Sequence, residues 1–239
     1  GVQDPNGDSQ SIRVSGNLTI QGGGSLTAQG ANTTSDGSSY GIFVIGSFTQ
    51  QSGSVTASGG NVSGNQTSEG LYVYGSTVTV QGGTLTATGG TTGSGSYGIS
   101  ANGSVTVSDA TVTATGGSGY ESYGLYIDSS SPSVTLSGSG SLTARSESAD
   151  RAGGIYVRNL LGSAGAVTVG DNSTLLANSV ILYDNSFTEK PLAPTGDGSW
   201  LIYGQSDQPS AVGGNYTLEE NITIESGNTL TIPAGSTLT

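Results

Sequence analysis

From residue 12 to residue 182, apolar side chains recur in short alternating runs, separated by Gly, Ser and Asn. One stretch shows the pattern: "LYVY" (71–74), "TVTV" (77–80) and "TLTA" (84–87) follow each other with turn residues between. Alternation with period two over four or five residues predicts a strand half buried on one face. Aligned on the apolar residue that opens each unit, the chain repeats at Ile12, Ile42, Leu71, Ile99, Leu125, Ile155 and Ile181. The steps are 30, 29, 28, 26, 30 and 26 residues, each holding three strands.

The repeats stay in register by column. In the second strand the inward position reads Leu18, Phe48, Val78, Val105, Val134, Val167, and the next residue is threonine each time, from Thr19 to Thr168. In the third strand the inward residues are Leu26, Val55, Leu85, Val112, Leu142 and Leu175. Threonine follows in five of these and Leu176 in the sixth, and then comes an unbroken alanine column, Ala28 to Ala177. A single coil cannot bury its own apolar face, but stacked coils share one core. The expected fold is therefore all-β: a right-handed parallel β-helix of three-strand coils, 26–30 residues per coil, six to seven coils. An antiparallel sandwich also has regular short strands, but it does not explain a three-column register held through six units. Glycine stands before the first strand at Gly41, Gly70, Gly98, Gly124 and Gly154. That column marks a corner requiring either positive φ or close backbone approach.

Residues 1–10 read as a lead-in and 11–185 as the coils. Residues 186–239 read as an irregular Pro/Gly segment and the start of a further β-repeat, continuing in a longer parent protein with flanking domains. Composition narrows the function. The 239 residues include no Cys, Met or His, and only five Lys and Arg against 17 Asp and Glu. Phosphate neutralisation needs clustered cations, so nucleic acid is excluded as a partner, and no apolar run is long enough for membrane insertion. Without His there is no Ser-His-Asp or Cys-His pair. No phosphate loop occurs, and the acids are scattered over several coils, so the expectation is that the protein is not an enzyme. No cofactor is expected. Calcium is the one metal considered, at the corner acids Asp36, Glu69, Glu121, Asp150 and Asp184, which otherwise read as solvated loop residues.

One face differs from the threonine-rich pair. Alternation sends Phe43, Tyr72, Tyr126 and Tyr156 outward in one column, interrupted by Arg13 and Ser100. Two residues on, the outward column runs Ser15, Ile45, Tyr74, Asn102, Asp128, Arg158, Asp184. The candidate ligand-binding residues are Phe43, Tyr72, Tyr74, Tyr126, Asp128, Tyr156 and Arg158. Aromatic rings there either form a platform for sugar rings or tighten adjacent rungs. Tyr40, Tyr97 and Tyr123, just before corner glycines, read as corner packing. Arg145, Arg151 and Arg158 lie within one coil step, placed either to meet an acidic sugar or to balance nearby acids.

The phrase "GLYVYGSTVTVQGGTLTATGG" resembles the repetitive β-helix regions of surface proteins from Gram-positive gut anaerobes. Over residues 11–185 the chain is also similar to a family of right-handed β-helix carbohydrate-binding domains related in fold to polysaccharide lyases. The resemblance implies an extracellular, cell-surface module that binds polysaccharide or a host or cell-wall glycan. Where that family carries an acid before the corner glycine, this chain has Tyr40, Glu69, Tyr97, Tyr123 and Gly153, so only Glu69 keeps the charge. The lyase relatives' basic residue near calcium has no match, because neither Lys190 nor Arg158 has an evident acidic cage. The alternatives are a structural stalk, a lyase, or an ice-binding protein, whose β-helices carry similar Thr-x-Thr arrays.

Overall fold

A computed structural model describes residues 2–3, 7–34, 36–147, 149–158, 166–184, 188–204, 210–219, 221–224 and 229–239. Every regular element in it is a β-strand. The strands form a β-solenoid with three long sheets: nine strands in the first, six in the second and nine in the third. Within the coils each strand pairs in parallel with its counterpart one repeat away, as in Leu71↔Ile99, Thr79↔Thr106 and Leu85↔Val112. The six threonines from Thr19 to Thr168 form one continuous ladder on the second sheet. The inward Val, Leu and Ile beside them make one unbroken core, with Ile42, Leu71, Ile99, Leu125 and Ile155 fully buried.

The register departs from expectation at the seventh coil. Val180, not Ile181, continues the inward column (Ile155↔Val180), so Ile181 falls in the outward column beside Tyr156. The outward ladder therefore ends at Tyr183, paired with Arg158, and Asp184 lies one residue past it. The reason is local: this coil reaches its first strand through Asn178 and Ser179 without a corner glycine, so alignment on the apolar residue slips by one.

The glycine column works by close approach. None of its five members has positive φ. A Cβ on Gly41 would lie 2.6 Å from the Ser58 nitrogen, and one on Gly70 would lie 2.5 Å from the Thr88 nitrogen and 2.7 Å from the Ala57 carbonyl oxygen. The first strand thus crosses the third-strand backbone at the alanine column, and both columns are small for that reason. Before each of four of these glycines, two residues back, sits a fully buried serine: Ser39, Ser68, Ser96 and Ser122. Ser68 Oγ donates to the Gly60 carbonyl (2.7 Å) and accepts from the Gly90 amide (2.8 Å). Ser39 and Ser96 make the same two bonds one coil away on either side. Each of these three serines ties two successive exit loops together.

Reversed strands finish the first sheet at both edges. Val2–Gln3 lies antiparallel on Ser9–Val14, and Glu189–Pro191 antiparallel on Val180–Tyr183. Stacking continues past residue 185 in the third sheet, where Ser199–Ile202 pairs in parallel with Thr174–Ala177 before Ser210–Gly213 reverses against it. Outside this sheet a second, smaller core of Leu176, Leu201, Val212 and Tyr216 anchors the segment after residue 214. Its seed is Leu176, the residue that breaks the threonine column.

Gly70→Ala should cost about 3 kcal/mol or more, because its Cβ would meet backbone that cannot yield. Gly23→Ala, where a Cβ would meet nothing within 4 Å, should stay within roughly 0.5 kcal/mol of the parent in denaturant titrations.

Candidate ligand-binding face

The first sheet carries three outward columns where simple alternation yields two. Register places Phe43, Tyr72, Ser100, Tyr126 and Tyr156 in one column. A second holds Tyr74 next to Ile45, and Arg158 between Asp128 and Tyr183. The third is Gln10, Tyr40, Glu69, Tyr97, Tyr123 and Gly153. It joins the same face because the corner glycine between the columns takes no partner in the register, and the kink there shifts the alternation by one. Tyr40 and Phe43, three residues apart, consequently stack at 5.3 Å.

The aromatic residues divide into two stacks. Tyr40, Phe43 and Tyr72 lie nearly parallel with centroids 5.2–5.6 Å apart, and Tyr74 meets Tyr72 edge-on at 6.2 Å. Tyr97, Tyr123, Tyr126 and Tyr156 form the second stack, with contacts as close as 4.5 Å, and Tyr183 extends it. Tyr97 and Tyr123 thus do more than pack a corner: they are inner members of the stack. Ring faces are spent on other rings. Tyr156 is only 4% exposed and Tyr123 1%, whereas Tyr74 is 55% exposed. Burial pushes the phenols of Tyr40 and Tyr156 up to about 12, and those of Tyr72, Tyr97 and Tyr123 further still. They remain neutral hydrogen-bond donors at any ordinary pH.

At the end of the second stack the face opens into a cleft of about 260 Å3, lined by Glu121, Tyr126, Arg151, Tyr156, Arg158 and Tyr183. Two ion pairs rim it. Arg151 Nη1 donates to Glu121 Oε1 at 2.7 Å, and Arg158 Nη1 to Asp128 Oδ2 at 2.9 Å. Arg151 also pairs with Glu189 of the reversed end strand, whose Oε1 accepts from the Tyr156 hydroxyl at 3.2 Å. These arginines are more than a third exposed, so the pairs contribute little stability.

Of the seven residues expected on this face, Tyr126, Tyr156 and Arg158 line the cleft, and Asp128 is held beside it by Arg158. Phe43, Tyr72 and Tyr74 belong to the other stack. Sequence reading named Arg151 as a cation for an acidic sugar or for nearby acids and Glu121 as a corner acid without placing either on this face, and it missed Tyr183 and Glu189. The pairing of Glu121 with Arg151 was visible as equivalent positions in adjacent coils, 30 residues apart. Glu189 was not, since it arrives on a strand outside the repeat. Among the described residues no three acids converge on a common point. Asp150's side chain lies outside those described, and Lys190 pairs with Asp184.

Between the stacks, beside Ser100, lies Glu69. Its Oε1 accepts from the Thr67 hydroxyl at 2.9 Å, while Oε2 is buried with no hydrogen-bond partner. Burial pushes this carboxyl up to about 7, a rise that Thr67 and the nearby Ser100 partly offset. Compared with protein-family models, curated proteins and solved structures, the chain matches none of them.

A carboxyl whose folded pKa is raised binds its proton more tightly in the native state. Its contribution is fully present below about pH 4.5 and is lost as pH climbs to about 7. Stability should therefore fall by on the order of 3 kcal/mol across that window. Glu69→Gln should flatten this part of the profile and melt above the parent at pH 8; equal profiles for the two proteins would contradict the assignment.

Proposed function

We propose that this chain is a non-catalytic, extracellular binding module of a bacterial cell-surface protein, holding a polysaccharide at the cleft beside the second tyrosine stack. The observation that carries the reading is that cleft. Phenol hydroxyls, two guanidinium groups and their carboxylate partners converge on a concavity, and planar polar groups of this kind suit a ligand made of hydroxyls. The resemblance to β-helix carbohydrate-binding domains supports the same face. Because ring faces are consumed within the stacks, recognition rests on hydrogen bonds at ring edges, and Tyr74 alone in its stack offers substantial open aromatic area. Modest affinity and dependence on polar geometry follow. Adhesion is this same binding directed at a host or cell-wall glycan.

A second reading, a spacer that holds another domain away from a surface, is favoured by the stacking itself. Rings packed 4.5–6.3 Å apart stiffen the rungs whether or not anything binds. A glycan array separates the two: binding to any polysaccharide supports the module, and silence across the array supports the spacer.

For a confirmed ligand, Arg158→Ala combined with Tyr183→Ala should weaken binding at least tenfold with the fold intact by circular dichroism. Tyr74→Ala should change it less than threefold. The reverse order of effects would move the site to the first stack. No polymer should be cleaved, with or without calcium, as read by unsaturated or reducing ends.

A further inference from the structure

The outward face of the third sheet is a lattice of Ser, Thr, Gln and Asn hydrogen-bonding groups, interrupted by one charge. From Ser25 to Asn178, the column that reads Gln29, Ser58, Thr88, Thr115 turns to Arg145 and then Asn178. Leu176 and Leu201 make the end of this face apolar, and Tyr216, Leu218, Glu219, Asn221, Ile222 and Thr223 border it there. Two cavities result, of about 400 Å3 and about 290 Å3, and Arg145 lines both. Together they fall within the roughly 300–1,000 Å3 of small-ligand sites.

Each cavity supplies different chemistry. The larger has a floor of hydroxyls, including Thr113 and Thr143, with Tyr216, Leu218 and Glu219 along its side. The smaller is lined by Tyr203 and by Asn178, which is 2% exposed. Asn178 Nδ2 donates to Ser146 Oγ at 2.8 Å, while Oδ1 is buried with no partner. The sealed acceptor leaves the cavity wall itself to be served by Tyr203, Asn221 and Thr223. Arg145 acts on both phenols electrostatically, lowering the Tyr203 and Tyr216 pKa values against the larger rise from burial. A guanidinium has five donors in a fork that matches a carboxylate, enough to serve a ligand alongside the protein.

We propose that the paired cavities at Arg145 form a second saccharide site, selective for a sugar bearing one carboxylate. The carboxylate sits on Arg145, hydroxyls reach the threonine floor and the Tyr203 side of the smaller cavity, and Glu219 repels a second acid group. The site lies on a different sheet from the tyrosine face and does not depend on it.

The test is an NMR titration of the full chain with three probes: cellobiouronic acid, 3′-sialyllactose and neutral lactose. At least one acidic probe should shift the Arg145 Nε–H and Asn178 side-chain amide signals and bind at least tenfold more tightly than lactose. The identity of that probe assigns the acid to the uronate or the sialate class. Arg145→Gln should abolish the tenfold preference, and so should the near-isosteric Asn178→Asp, which adds a repelling charge without removing volume. Arg13→Gln, which removes a cation from the first sheet instead, should leave both signals and affinities unchanged. The proposal is overturned if neither acid moves those signals, if lactose binds equally well, or if Arg145→Gln keeps the preference. Loss of binding in Arg158→Ala alone would return the ligand to the tyrosine face.

Discussion

Where the first sheet crosses the third, two backbones meet with no room for a side chain. A Cβ on Gly70 would lie 2.5 Å from the Thr88 nitrogen, and the residue facing it on the other strand is alanine in coil after coil. This contact sets the cross-section of the solenoid. It brings the serine column within hydrogen-bond reach of the exit loops, so that buried hydroxyls replace water for backbone groups that no sheet would satisfy. It also kinks the first strand, and the kink determines what the outer face displays. A side chain before the glycine and one two residues after it point the same way, which lets two columns of tyrosine merge into stacks.

That chain of causes explains which parts of the molecule were legible beforehand. Three-strand coils, the threonine ladder and the core columns follow from alternation and spacing, because identical neighbours repeat the same local physics at every rung. Tyr40, Tyr97 and Tyr123 were seen but assigned to corner packing, since simple period-two counting turns them inward. The phase shift at an unpaired glycine is a three-dimensional fact. The serine column was equally visible in "SYG", "SEG" and "SYG", yet its role depends on carbonyls eight residues back or six, and on amides about twenty ahead. Alignment slipped at Val180, where the glycine that marks the corner is missing. Partners arriving from outside the repeat, such as Glu189 and Tyr216, left no periodic trace.

Stacking and recognition compete for the same tyrosines. A ring sandwiched between rings stiffens the rod but surrenders the surface that a pyranose would cover. The first sheet resolves this along its length. Where aromatic columns are continuous the face is closed, and where they end, near Tyr183, polar groups surround an open cleft. On the third sheet the transition is from hydroxyl to leucine at Leu176, and it too produces concavity. Both openings lie toward the last coils, where the repeat loses its regularity.

Glu189 has a double position. It stands on the reversed strand that finishes the first sheet, and it also holds Arg151 at the cleft. In a stack where each rung contacts only its neighbours, the outermost strand is held from one side alone. Displacing Glu189–Pro191 would therefore take a partner from Arg151 while the inner rungs keep theirs. The strand that finishes the sheet and the ion pair that rims the cleft are thus one element, so whatever displaces the strand also reshapes the opening.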